Sequence, residues 1–108
     1  MRAVILATSE IVDGPTFHAT FASALGFPSF YGCNFDAWID CMSSLTDDHP
    51  MAAVHLTEGE HLLLVVPAFE SLAKRAPEVA RSFLECTAVV NLRYGERGEK
   101  TRVALVLE

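Results

Sequence analysis

A chain of 108 residues, 51% of them hydrophobic, can bury one core but leaves little chain for a second, so one domain over residues 1–108 is expected. Fourteen Asp and Glu against eight Lys and Arg give a formal net charge of −6, which repels nucleic-acid phosphates and anionic membrane surfaces and steers cationic protein surfaces inward. Nucleic acid and membrane are thereby disfavoured as partners, and a basic protein is the first partner to consider.

Ala3 to Ala7, AVILA, is an apolar run too short for a helix, with turn chemistry following at Asp13, Gly14 and Pro15, and it predicts a buried strand. The start MRAVILATSE has one Arg, but its apolar run is shorter than a signal-peptide core and ends without a small-residue cleavage pattern. No run approaches the ~18 apolar residues of a membrane span, so a cytoplasmic protein is expected. Three cysteines, Cys33, Cys41 and Cys86, have neither a paired nor a zinc spacing and suit a reducing compartment.

From Pro15 or Thr16 to Leu25, Phe17, Phe21, Ala24 and Leu25 recur at helical spacing, and Gly26 stands where a left-handed C-cap is wanted. A second helix is predicted after Asn34, a good N-cap. Phe35, Trp38, Met42 and Leu45 line its apolar face, with Ile39 and Cys41 at the margins. Asp36, Asp40 and Ser43 fall on the other face, and TDDHP ends the helix. MAAVHLTEGE reads as a loop or short edge strand turning at Gly59, and HLLLVV, His61 to Val66, as a second buried strand. Pro67 stops that strand or opens the helix AFESLAKRA. Pro77 suits the first turn of a last helix whose apolar face is Val79, Phe83, Cys86, Val90 and Tyr94, ended by Gly95 and Gly98; TRVALVLE closes the chain as a third strand. Short strands alternating with helices predict an α/β fold, a small three-stranded parallel sheet packed with about four helices.

Three chemistries can be weighed on these residues. His49, His55 and His61 with Asp47, Asp48 and Glu60 are ordinary metal-ligand types, yet their spacing matches no ligand motif, so no cofactor or metal is expected. Cys33 precedes a predicted helix N-terminus, where the dipole stabilises a thiolate, so a thiol-dependent enzyme is one reading and a packed or bystander thiol the other. Asp36 and Asp40 sit four apart on one helical face, where like charges cost a few tenths of a kcal/mol. They could be an acid–base pair, but no nucleophile elbow or glycine-rich phosphate loop accompanies them and no small-molecule substrate suggests itself. They could equally be a solvated helix face, or the charged part of a recognition patch with Phe30 and Tyr31 beside them.

The segment FPSFYGCNFDAWIDCM carries a further signal: proline, two aromatics, glycine, asparagine after one intervening residue, then a helix with two aspartates four apart. It resembles the signature segment of the barstar family, small cytoplasmic inhibitors of ribonucleases, and the order strand, helix, loop, helix, strand, two helices, strand is similar over most of the chain. The resemblance implies a non-catalytic, immunity-type inhibitor that plugs the active site of a basic ribonuclease or ribonuclease toxin with the segment Phe30 to Ser44. Asp40 would then stand in for an RNA phosphate at the centre of the interface with Asp36 supporting it. Phe30 would cover the enzyme's catalytic histidine, and Tyr31, Gly32 and Asn34 would form the docking loop; Ile39 and Ser44 fall inside the same segment, and Glu85 would make a peripheral ionic contact. This chain departs from the family pattern at Ile39, where the best-known member has tryptophan, and at Cys33, which replaces an acidic residue. The inserted MAAVHLTEGE and a longer last helix, where Val89 and Leu92 would extend the contact surface, also have no counterpart there. An adaptor for a non-ribonuclease basic protein is the reading that keeps the fold and changes the partner.

Overall fold

The computed structural model of the protein describes residues 2–108. Strands β1 (Arg2–Ile5), β2 (Leu62–Val66) and β3 (Val103–Leu107) form one parallel sheet in the order β1-β2-β3. Between β1 and β2 the chain makes a single 3-10 turn (Thr8–Glu10), then helices α1 (Gly14–Leu25) and α2 (Phe35–Met42). Between β2 and β3 it makes α3 (Phe69–Arg75) and α4 (Pro77–Glu96). This is the α/β fold with three parallel strands and four helices that the alternation of strand and helix patterns predicts.

The sheet is buried on one face more than on the other. Leu62, Leu64 and Val66 of β2 have no solvent exposure, while Leu63 and Val65 on the opposite face are half-buried. Ile5, Val65 and Val106 share one cross-strand row on that second face, and there Ile5 is 70% and Val106 37% exposed. The expectation of a buried first strand is therefore corrected. A continuous apolar run implies helices on both faces, but β1 is an edge strand of a sheet with one face only partly covered.

Local chemistry sets the helix ends. The Asp13 carboxylate accepts the Thr16 N–H at 3.0 Å while the Thr16 hydroxyl accepts the Asp13 N–H at 3.0 Å, a reciprocal cap that starts α1 slightly earlier than predicted. At the other end Gly26 has φ +64°, and a Cβ there would meet that of Ala53 at 2.7 Å, so both backbone and space demand glycine. The Ala53 N–H donates to the Leu25 carbonyl at 2.8 Å, which docks the 51–60 segment against α1. That segment contains no strand; Val54 and Leu56 are its buried anchors. Pro77 does open α4, whose buried face is Ala80, Phe83, Thr87, Val90 and Tyr94; the predicted Val79 and Cys86 lie half-buried at its margins.

Candidate functional site

Asn34 starts α2 in the manner its position predicts: its Oδ1 accepts the Ala37 N–H at 2.8 Å and its Nδ2 donates to the Gly32 carbonyl at 3.4 Å. Trp38 and Met42, fully buried, fix the inner face of the helix. The indole meets Phe21 at 5.5 Å and Phe83 at 6.0 Å between ring centroids, both close to perpendicular, so α2 is keyed into α1 and α4 by aromatic edges.

The C-terminal end of α2 is tied down by a buried polar clamp. The Tyr94 hydroxyl donates to the Met42 carbonyl at 2.6 Å and accepts the Leu45 N–H at 3.1 Å, satisfying backbone groups that a helix end leaves without partners. Burial pushes this phenol up to about 12, so the donor persists at neutral pH. Arg97 stacks over the Tyr94 ring at 4.7 Å and donates through Nη2 to the Ser43 carbonyl at 2.6 Å. The Ser44 hydroxyl donates to the Cys41 carbonyl at 2.7 Å and accepts the Met51 N–H at 2.8 Å. The helix therefore stops at Met42, before the TDDHP sequence expected to end it, because long-range partners take over its last carbonyls.

The outer side is charged. Asp36 and Asp40 are exposed, as is Glu85 of α4. The Cys86 thiol is pushed up by burial and then by the carboxylates of Glu85 on its own helix and Asp36 on α2, both of which lie within electrostatic reach of it. Asp40 is joined to α4 as well: Arg93 donates through Nη1 to Asp40 Oδ1 at 2.9 Å. Phe30, 77% exposed, stands on the preceding loop, and a groove of about 130 Å³ runs between Phe30, Tyr31, Gly32, Ala37, Asp40, Cys41 and Met51.

Tyr31 is turned partly inward. Its ring packs on Phe27 at 4.8 Å, its hydroxyl contacts His18 Nδ1, and burial holds the phenol well above its ordinary range. His18 is 4% exposed, and its imidazole is pushed down by the same cause, desolvation of the charged form. Gly32 is open to solvent, and a Cβ on it would approach Asn34 Nδ2 to 3.4 Å. Cys33 adopts φ +53° and its thiol donates to the Tyr31 carbonyl at 3.6 Å.

Of the candidate contact residues, Phe30, Gly32, Asn34, Asp36, Asp40 and Glu85 are exposed and Tyr31 half-exposed. Ile39 and Ser44 are corrected: at 8% and 4% exposure they face the core and the clamp, so they support the surface and do not line it. Ser43, expected on the outer face, is buried for the same reason. Among the described residues no three His, Cys, Asp or Glu side chains converge as metal ligands would, and no helix is long and apolar enough to cross a membrane.

The family model described as Barstar (barnase inhibitor) matches residues 1–106. The chain belongs to the barstar family. Among curated proteins none matches it significantly. Membership agrees with the resemblance carried by FPSFYGCNFDAWIDCM and with the observed parallel sheet and four helices. Within this barstar-family fold, sequence reasoning missed His18, Arg93 and Arg97, and saw Tyr94 only as core. Arg93 had a faint signal, lying eight residues from Glu85 on the same side of α4, but nothing local joins it to Asp40, 53 positions away.

Proposed function

We propose that this protein is a non-catalytic, intracellular inhibitor of a basic ribonuclease, which it blocks with the acidic face of α2 and the aromatic loop before it. The observation that carries the reading is the two-sidedness of α2: Trp38 and Met42 are fully buried while Asp36 and Asp40 are exposed, Asp40 in the same groove as the exposed Phe30. A rigid inner face holds the carboxylates in place, so little ordering entropy is lost when a cationic cleft closes over them. Asp40 takes the position of an RNA phosphate among the enzyme's basic side chains, Asp36 and Glu85 extend the negative field, and Phe30 covers an apolar or aromatic group at the cleft's edge. No metal or organic cofactor takes part.

The test is inhibition of RNA cleavage by barnase and other basic ribonucleases, titrated with wild type and Asp40→Ala. Wild type should inhibit one of them stoichiometrically. Asp40→Ala should lose at least about 2 kcal/mol of affinity, the usual threshold for an interfacial hot spot, on a scale that barstar's own complex with barnase helped to define. Full inhibition by Asp40→Ala, with its fold intact, would exclude the mechanism; binding only to a basic protein without ribonuclease activity would favour the adaptor reading.

A further inference from the structure

The acidic surface is not uniformly bare. Asp36 and Glu85 have no basic partner within salt-bridge distance among the described residues, whereas the central carboxylate, Asp40, is already held by Arg93 at 2.9 Å. Both side chains of this pair are solvent-exposed, 47% for Arg93 and 59% for Asp40, so the pair does little for stability and its guanidinium can be displaced. The length of α4 puts Arg93 there. Glu85, Val89 and Arg93 follow one another at four-residue steps along one side of this helix, and the adjacent Tyr94, with Arg97 one turn beyond Arg93, holds the end of α2.

We infer that Arg93 is a specificity-determining residue of the recognition surface, an internal cation that occupies Asp40 in the free protein and must be outcompeted by the partner. The inference rests on Asp40 being the partner's anchor. A single ammonium or guanidinium arriving at Asp40 replaces one charge-assisted hydrogen bond with another and meets the repulsion of the guanidinium already there, so it gains little. A cleft that presents several cations can engage Asp40, Asp36 and Glu85 together and displace Arg93 in the process. The mask thus discriminates against isolated basic side chains and in favour of clustered ones, which is selection by an unfavourable term.

The experiment compares association rates of barnase with wild type, Arg93→Gln, Asp40→Asn and the double variant, using Lys74→Gln as a control of equal net charge on α3. Arg93→Gln should associate about two- to fivefold faster than Lys74→Gln at low ionic strength, the gain should shrink at physiological salt, and it should vanish in the Asp40→Asn background. A rate for Arg93→Gln equal to or below that of Lys74→Gln would overturn the inference and make Arg93 either idle or a direct contact. If wild type fails to bind barnase, the inhibitor reading has failed for that enzyme and the mask is tested without it. The Asp40 side-chain carboxyl resonance is then followed during titration with a polyarginine peptide. A response at lower peptide concentration in Arg93→Gln than in Lys74→Gln supports the mask, and coincident titrations of these two variants refute it.

Discussion

The two ends of the segment from Phe30 to Leu45 are held by different physics. At the Met42–Leu45 end, the Tyr94 and Ser44 hydroxyls satisfy backbone groups in a buried setting, the part-exposed Arg97 guanidinium takes the Ser43 carbonyl, and the 51–60 segment closes over them through the Leu56 N–H to the Leu45 carbonyl at 2.7 Å. At the Phe30–Asn34 end, a half-buried Tyr31 against His18 and a solvent-exposed Asn34 cap do the work. Buried hydrogen bonds are expensive to leave unmade, whereas exposed ones exchange with water at small cost. One end therefore fixes the C-terminal turn of α2 that carries Asp40, and the other leaves the exposed Phe30 beside a tyrosine that contacts a buried imidazole.

Substitutions can break that contrast in order of size. Trp38→Ala removes the key that seats both ends and should cost about 3–5 kcal/mol in urea unfolding. Tyr94→Phe keeps the ring but strands the Met42 carbonyl and Leu45 N–H, and should cost about 1–3 kcal/mol with a matching loss of inhibition as the end of α2 loosens. Asn34→Ala, at the weaker end, should cost about 1 kcal/mol, the usual worth of a helix N-cap. Asp40→Asn should change stability by less than about 0.5 kcal/mol, since the pair it breaks is exposed. A Tyr94→Phe cost no larger than that of Asn34→Ala would erase the distinction between the ends.

The pH dependence sharpens the same comparison. Burial lowers the folded-state pKa of His18 below the ordinary imidazole value of about 6.5, so between those two values the unfolded chain binds more protons than the folded one. The corresponding stability is fully present above about pH 6.5 and is lost as pH falls through the folded-state pKa. Urea midpoints measured from pH 8 to pH 5 should fall more steeply in wild type than in His18→Gln, with the loss of amide protection concentrated at residues 27–34 and not at 42–45. Parallel profiles for the two proteins would detach His18 from the loop.

Much of this was readable from local chemistry. Asn34 as a cap, Gly26 as a left-handed stop and Pro77 at the start of α4 are decided within a few residues, and the structure places each where its chemistry predicts. The outer face of α2 was readable as well, because Asp36 and Asp40 differ from their apolar neighbours in period and charge. The burial of Ile39, Ser43 and Ser44 was not, since it depends on α4 and the 51–60 segment arriving from elsewhere in the chain. The Arg93–Asp40 pair and the Tyr94 clamp join residues about 50 positions apart, where sequence spacing carries no information. The exposure of Ile5 escaped for a related reason: an apolar run specifies a strand but not how many of its faces are covered.

The most direct test of the central claim is an amide hydrogen-exchange footprint of the protein bound to a ribonuclease that it inhibits. Protection should appear over residues 30–40 and at 85–93 on α4, with the outer sheet row of Ile5, Val65 and Val106 unchanged. Protection confined to that sheet row, with residues 30–40 exchanging as in the free protein, would contradict the account.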